Sequence, residues 1–402
     1  MKSFFEKKNK KLINRFQSLE LNSNSNISIR FVFNILQNMK IDLIAGARPN
    51  FVKIAALIHA IKNTSVKIDF RLIHTGQHYD EALSGSFFKQ LELPNPDINL
   101  GVGSGSQAEQ TAAIMIAYEK VLQENKPDIC LVVGDVTSSM ACAITSKKMH
   151  IKVAHVEAGL RSNDWNMPEE INRVLIDSIS DYFFTTTLDA KTLLLKDGKN
   201  ENQLFFVGNT MIDTLLRFRP YFKQPKIWTE LELCEKKYIV LTLHRPGNVD
   251  EINQLKSLLE AIIKQSKGLS IVFPVHPRTA EVLRKFDLKA VNLFLIEPLG
   301  YLEFNYLVER AKVVITDSGG ITEETTVLGV PCMTLRNNTE RPETITLGTN
   351  ELLGTNPAAI APAMDKLFHD KWKKGEIPQY WDGKTGKRII GVLQAYAQAV
   401  EL

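Results

Sequence analysis

Three acids follow closely on two apolar runs in the middle of the chain. The run Ile129-Cys130-Leu131-Val132-Val133 ends in Gly134-Asp135, and 22 residues on, the run Val153-Ala154-His155-Val156 ends in Glu157. The polar loop beyond holds Arg161, and Glu169 stands behind Pro168 where a helix should open. Proline at a first helical position with acids in the first turn is ordinary helix-start chemistry, so Glu169 alone argues little. Glu157 argues more, because the carboxyl ends of strands in an α/β sheet are where ligands bind. Two neighbouring strand ends that each deliver a carboxylate to one crevice, with a third acid nearby, suit proton transfer.

A second constellation lies later. The run 313–316 enters Asp317-Ser318-Gly319-Gly320 and then a helix that should end at Gly329. Two glycines let a phosphate approach the backbone, and the free N–H groups and dipole of a helix start favour an anion. The same pair also makes a common tight turn. Glu323 and Glu324, one turn in, would repel a phosphate if they faced it; facing away, one of them could hold ribose hydroxyls or simply lie on a solvated face. Candidate cations gather at other strand ends: Arg48 and Lys53, His244-Arg245, His276-Pro277-Arg278, Arg336 and Arg341. Singly each reads as surface charge. Together they lie on the ligand-facing edge and could line two phosphates.

The elements that must carry these residues follow an α/β pattern. From Met39 strand, turn and helix alternate, the sign of a parallel doubly wound sheet. Strands are expected at 41–45, 70–74, 129–133, 153–156, 182–185 and 204–207. A helix follows the first strand, with Phe51, Ile54, Ala55, Ile58 and Ile61 on one buried face; others start near Asp80 and, through a Ser106/Glu109 capping box, before a run to about Leu122. The pattern restarts with strands at 238–243, 270–273, 293–296, 313–316 and 331–335. The expected organisation is a Rossmann-like domain over 39–208, a connector over 209–237, a nucleotide-binding Rossmann-like domain over 238–384, and a final helix within 385–402 that could pack back on the first domain. A cleft between the two domains is the place for a ligand.

Composition bounds the rest. A length of 402 residues suits two domains, each with its own core. The net charge of +4 is misleading, since residues 1–38 hold seven lysines and arginines against two glutamates and leave residues 39–402 about one unit negative. The body therefore has no electrostatic footprint for nucleic acid. The basic, then Ser/Asn-rich, stretch 1–38 reads as a disordered extension outside the fold. Cys130 and Cys332 sit in apolar runs as buried thiols, which fits a reducing cytoplasm. No apolar run is long enough to span a bilayer. The loop Gly101-Val102-Gly103-Ser104-Gly105 lacks the strand and spacing of a dinucleotide fingerprint, and no Walker-type loop is found. His150 and His155 have no partner acid at zinc spacing, so no metal site is expected.

With these pieces placed, the chain resembles the non-hydrolysing UDP-N-acetylglucosamine 2-epimerases over about residues 39–354. The likeness rests on GARPNFVKIAAL (46–57), TGQHYDE (75–81), VVGDVTSS (132–139), HVEAGLRS (155–162), MPEEINR (167–173), VGNTMIDTL (207–215), TDSGGITEE (316–324) and NNTERPET (337–344). The resemblance implies two doubly wound Rossmann-like domains facing a cleft, the GT-B arrangement shared with many glycosyltransferases. It implies that Asp135, Glu157 and Glu169 are the catalytic carboxylates and that His244 stands near the leaving diphosphate. It assigns Arg48, Lys53, His276, Ser318, Gly319, Glu324 and Arg341 to nucleotide and phosphate contacts, with Gly320 completing the turn. It implies a homodimer, a UDP-sugar substrate and no cofactor, in a cytoplasmic enzyme that supplies precursors of surface polysaccharide. The stretch Pro246-Gly247-Asn248-Val249-Asp250, where many members have a second arginine and a glutamate, and Asp80 in place of a glutamine depart from the pattern. Both put a second, regulatory UDP-sugar site in doubt.

The chemistry so implied removes a proton from carbon 2 on one face of the sugar and returns one on the other. Expelling UDP from carbon 1 makes this feasible, through a 2-acetamidoglucal, and a carboxylate on each face is wanted. Crowding the acids should raise the pKa of at least one of them. The other readings are a 2-epimerase of a 2,3-diacetamido uronic acid sugar, a hydrolysing 2-epimerase, a glycosyltransferase on the same fold, and a non-catalytic UDP-sugar sensor.

Overall fold

Helices cover both faces of each sheet, so the central strands are apolar at every position rather than at alternate ones. In the computed structural model Cys130, Leu131, Val132 and Val133 are all fully buried, as are Val313, Val314 and Ile315. The structure describes residues 39–64, 68–76, 87–275, 277–286 and 290–400. The basic stretch 1–38, the helix expected from Asp80 and the nucleotide contact expected of His276 therefore lie outside the described residues.

The first lobe runs β1 (Met39–Ala45), α1 (Arg48–Lys62), β2 (Ile68–His74), β3 (Ile98–Asn99), α2 (Gln107–Glu124), β4 (Ile129–Val133), α3 (Thr137–Lys148), β5 (Lys152–Val156), α4 (Pro168–Ile179), β6 (Tyr182–Thr185), α5 (Leu188–Lys196) and β7 (Leu204–Phe206). Its strands are ordered β3-β2-β1-β4-β5-β6-β7. The order reverses between β1 and β4, which pair in parallel with Ile41 opposite Ile129. α2 opens on the expected capping box: Ser106 Oγ accepts from Glu109 N at 3.2 Å, and the Glu109 carboxylate accepts from Ser106 N at 2.9 Å.

After α6 (Thr210–Phe218) and the short α7 (Lys226–Glu230), a second lobe follows. It comprises β8 (Tyr238–Thr242), α8 (Pro246–Val249), α9 (Ile252–Gln265), β9 (Ser270–Pro274), α10 (Pro277–Leu283), β10 (Leu293–Ile296), α11 (Tyr301–Arg310), β11 (Val313–Thr316), α12 (Gly319–Leu328), β12 (Cys332–Thr334), α13 (Pro342–Thr346), β13 (Asn350–Leu352) and α14 (Ile360–Phe368). The order β10-β9-β8-β11-β12-β13 is parallel throughout and reverses between β8 and β11. Both sheets are thus doubly wound, as the alternating pattern predicts. The edge strands β3 and β13 are too short to show any periodicity, and neighbours define them: Ile98 pairs with Ile73 and Asn350 with Cys332.

The chain closes with α15 (Thr385–Val400). Asp213 of α6 accepts from Thr385 N at 3.0 Å and Gly386 N at 2.7 Å, holding the start of this helix. Gly386 lies so close to α1 that a Cβ there would stand 2.6 Å from the Ala56 carbonyl oxygen. Ile389, Ile390 and Leu393 are buried along the contact.

Candidate active site

The loops at the two points of strand reversal hold the residues singled out for chemistry. In an open α/β sheet the connections diverge at such a point and leave a crevice beyond the strand ends. In the first lobe, β1 leads to Gly46-Ala47-Arg48 and β4 to Gly134-Asp135. In the second, β8 leads to His244-Arg245 and β11 to Asp317-Ser318-Gly319.

Glu157 follows β5 with a left-handed backbone, φ 70°. A non-glycine residue held there costs about 1–3 kcal/mol, so the surroundings must hold it. They do: Glu157 N donates to Phe184 O at 3.0 Å, and the buried carboxylate takes Lys53 Nζ at 2.6 Å and Arg341 Nη2 at 3.0 Å, both on Oε2. Gly134, at φ 65°, leaves the room: a Cβ on it would stand 3.3 Å from Lys53 Nζ and 3.5 Å from Glu157 Oε2. Asp135 is tied to α4, since its backbone carbonyl accepts from Asn172 Nδ2 at 2.8 Å and its carboxylate is paired with Arg173. The adjacent acids of α4 part company. Glu170 is buried, accepting from Ser162 N, Ser162 Oγ, Asn163 N and Arg173 Nη1, and it shapes the 161–167 loop. Glu169 is half-buried, and among the described residues no hydrogen bond reaches its carboxylate.

The second lobe reaches across. Arg341 pairs through Nε with Glu323 of α12 and through Nη2 with Glu157 of the first lobe. Asn209, at the end of the first lobe, donates to Glu323 at 2.9 Å. Arg245 Nη1 lies 3.8 Å from the sulfur of Met167, the residue before Pro168, and Asn338 Nδ2 donates to Asp164 at 3.0 Å. The loops that carry the first-lobe acids therefore contact α12 and the loops of the second lobe. His244 is oriented by Asp317, whose carboxylate takes His244 Nδ1 at 2.8 Å, Arg245 N at 2.9 Å and Asn248 Nδ2 at 3.1 Å.

Several expectations change. Crowding does not raise Asp135: burial pushes its carboxyl up, but Arg173, then Lys53, outweigh this and hold it below its ordinary value. In the second lobe burial raises Glu323, against the partial relief of Arg341, and pushes Glu324 and Glu343 up to about 7. Opposite charges close to Asp135 thus outweigh the burial that would lift its carboxyl. Glu323 and Glu324 lie on no solvated face; both are buried. The carboxylate of Glu324 lies 3.5 Å from Asn305 Nδ2 of α11. Arg341 is no loose cation of the rim but a buried bridge between two carboxylates. Of Arg48 the backbone opens α1, and its side chain lies outside the described residues.

Sequence reasoning passed over Asn50, Arg173, Asp317 and Glu340. Asn50 joins both lips of the first reversal, accepting from Ala47 N at 3.0 Å and donating to Val133 O at 2.9 Å. Arg173, four residues beyond Glu169 and three beyond Glu170, had a helix spacing that places it on the face of either acid. Asp317 had no such local signal, because its partners His244, Arg245 and Asn248 follow a distant strand, whereas Glu340 pairs with Arg336 only four residues away.

Comparison with known proteins matches this arrangement. The family model described as UDP-N-acetylglucosamine 2-epimerase matches residues 59–394. A UDP-N-acetylglucosamine 2-epimerase of Methanocaldococcus jannaschii is 43% identical over 367 residues, covering 88% of this chain and 99% of the relative. The crystal structure of UDP-GlcNAc 2-epimerase from that organism, in complex with UDP-GlcNAc and UDP, is similar at TM-score 0.81 and 43% identity, over 89% of this chain and 100% of that one. A lipopolysaccharide outer core galactosyltransferase at 14% identity and TM-score 0.51, over 89% of this chain and 100% of that one, shares the fold alone.

Proposed function

The chain belongs to the UDP-N-acetylglucosamine 2-epimerase family, and on that premise we propose how its cleft acts on UDP-N-acetylglucosamine. It is an isomerase that interconverts this nucleotide sugar and its 2-epimer, UDP-N-acetylmannosamine. The observation that supports the reading is Arg341, which ties Glu157 of one lobe to Glu323 of α12, the helix that Ser318–Gly320 open.

The sugar lies among the acids with its diphosphate at the start of α12. Asp135, kept ionised by Arg173, is ready to take a proton; Glu169, free of hydrogen bonds among the described residues, is ready to give or take one from the opposite face. Glu157 is fixed through one oxygen by Lys53 and Arg341, while its Oε1 is buried without a hydrogen-bond partner among the described residues. It organises the pair rather than carrying the proton. Removing the carbon 2 proton expels UDP from carbon 1, and the charge that develops on the diphosphate is met by His244, by the helix start at Ser318–Gly320 and by neighbouring cations. Donors already in place at a developing charge are worth about 3–4 kcal/mol each in a site that excludes water. The 2-acetamidoglucal is held until UDP adds back with carbon 2 protonated from the other side. Glu324 and His276 are assigned to the nucleoside end, and Arg48 and Lys53 to the first-lobe wall. No step calls for a cofactor.

Proton NMR of UDP-N-acetylglucosamine incubated with the protein in heavy water tests this. The expected result is deuterium at carbon 2 in both epimers with no free UDP accumulating, and loss of exchange in Asp135→Asn. Stoichiometric release of UDP would make the enzyme a hydrolysing 2-epimerase. Exchange confined to the 2,3-diacetamido uronic acid sugar would move the substrate assignment. Consumption only with an added acceptor would indicate a glycosyltransferase, and binding without exchange a sensor.

The protein is further proposed to act as a homodimer in the cytoplasm. No helix among the described residues is long and apolar enough to cross a membrane. Its four cysteines are free thiols, as in a reducing compartment. Ile116 of α2 and Ile171 and Leu175 of α4 are exposed on helices that flank α3 and offer an apolar face to a second copy.

A further inference from the structure

Glu340 takes no part in the reaction just described, yet it occupies the corner assigned to the diphosphate. It is 6% exposed, and its carboxylate accepts from Arg336 Nη2 at 2.7 Å and Nη1 at 3.4 Å. One of its oxygens lies 2.6 Å from the point where a Cβ on Gly319 would stand, and Arg336 Nη1 lies 3.7 Å from that same point. Gly319 opens α12, a ten-residue helix whose cap residue Ser318 makes no side-chain capping bond. The first amides of such a helix have no partner within it and favour an anion. Arg173 and Arg341 add positive charge, and with Arg336 they hold the Glu340 carboxyl far below its usual range in spite of burial. A carboxylate at a helix start among three arginines has the surroundings of a bound phosphate. Gly319 is open to a ligand for the same reason that it is open to Glu340: no Cβ stands in the way.

We infer that Glu340 is a built-in substitute for the nucleotide's phosphate, filling the anion corner when no nucleotide is bound and yielding both the corner and Arg336 to the diphosphate of an incoming UDP-sugar. This rests on the reading that the Ser318–Gly320 corner takes the diphosphate. Two anions cannot share that place, since like charges a few ångströms apart in a buried site repel strongly. The exchange has two consequences. Arg336 becomes a phosphate ligand by changing partners, so it is a nucleotide-binding residue although it is fully paired here. Glu340 also sets the affinity for UDP, because each binding event must first break a bidentate ion pair. While the corner is empty of nucleotide, the same pair keeps the buried arginines compensated.

The test is calorimetric titration of UDP, uridine and inorganic pyrophosphate into wild type, E340Q, E340D and R336M, with melting temperatures taken with and without UDP. E340Q is expected to bind UDP and pyrophosphate about tenfold more tightly than wild type. Its melting temperature without ligand should fall, and UDP should raise it more than it raises that of wild type. E340D, whose carboxylate is drawn back from Gly319, should gain affinity to a lesser degree and serves if E340Q does not fold. R336M should lose affinity for UDP and not for uridine. An E340Q or E340D protein that binds UDP no more tightly than wild type overturns the inference. If wild type itself binds uridine as tightly as UDP, the diphosphate corner is wrong; if it prefers UDP and the Glu340 variants gain nothing, the corner stands and only the role of Glu340 falls.

Discussion

At the scale of single residues, the site is governed by which carboxylate each cation reaches. Arg173 divides its guanidinium between Asp135 and Glu170, and its charge is the first to counter the burial that would lift the Asp135 carboxyl. Replacing Arg173 by Gln removes that charge, so the Asp135 pKa rises. Activity that needs ionised Asp135 is then lost at a higher pH as the solution is acidified. The acid limb of kcat/KM against pH is expected to move upward in Arg173→Gln, which a pH–rate profile reads directly; an unmoved limb would detach Asp135 from it. Glu324 shows the opposite sign. Burial pushes its carboxyl up to about 7 in the folded protein, from an ordinary value of 4.5. Stability arising from the raised pKa is complete below pH 4.5 and is lost as pH climbs through 7. Glu324→Gln should therefore be more stable than wild type at pH 8, by about 1–3 kcal/mol, and indistinguishable from it near pH 4.5. Urea unfolding at the two pH values checks this.

At the scale of elements, each acid is placed by the way its strand ends. Glu157 reaches the cleft because β5 closes in a left-handed turn, and Gly134 leaves space beside it. α4 then carries two adjacent acids to different fates, Glu170 buried against the 161–167 loop and Glu169 half-buried. The last helix has a structural task of its own. α15 rests on α1, whose start lies beside the first strand reversal, and Gly386 is the point of closest approach. Gly386→Leu should force the two helices apart and lower the melting temperature by about 1–4 °C, since overpacking a tight contact costs about 1–3 kcal/mol in a chain of this size. Differential scanning calorimetry would detect this; an unchanged transition would mean that α15 tolerates displacement.

At the scale of the whole molecule, two doubly wound lobes meet through polar contacts of Arg341 with Glu157, Asn209 with Glu323, Asn338 with Asp164 and Arg245 with Met167. They also meet where Leu302 N donates to Gln90 at 3.4 Å, where the rings of Phe87 and Tyr301 stand 6.0 Å apart, and where Ile212 and Leu215 of α6 pack with Val327 of α12. The apolar face around Ile116, Ile171 and Leu175 lies on the first lobe. Light scattering is expected to give a dimer mass, and Ile116→Lys with Leu175→Lys a monomer that stays folded; a wild-type monomer would remove the assignment.

Much of this could be read along the chain, because the signals were local. Apolar runs that end in Gly134-Asp135, Glu157 and Asp317-Ser318-Gly319 fixed the strands, and the capping box at Ser106 fixed the start of α2. The family resemblance then supplied roles for residues whose types alone left alternatives open. The edge strands β3 and β13 were not legible, since two or three residues carry no period and only their neighbours make them strands. Nor were the charge states. The sequence shows acids crowded together, but not that the fold brings Arg173 and Lys53 to Asp135 and lowers its carboxyl, nor that burial raises Glu323, Glu324 and Glu343 in the second lobe. Electrostatic energy depends on distance through space and on burial, and a chain order that separates Glu157 from Arg341 by 184 residues encodes neither.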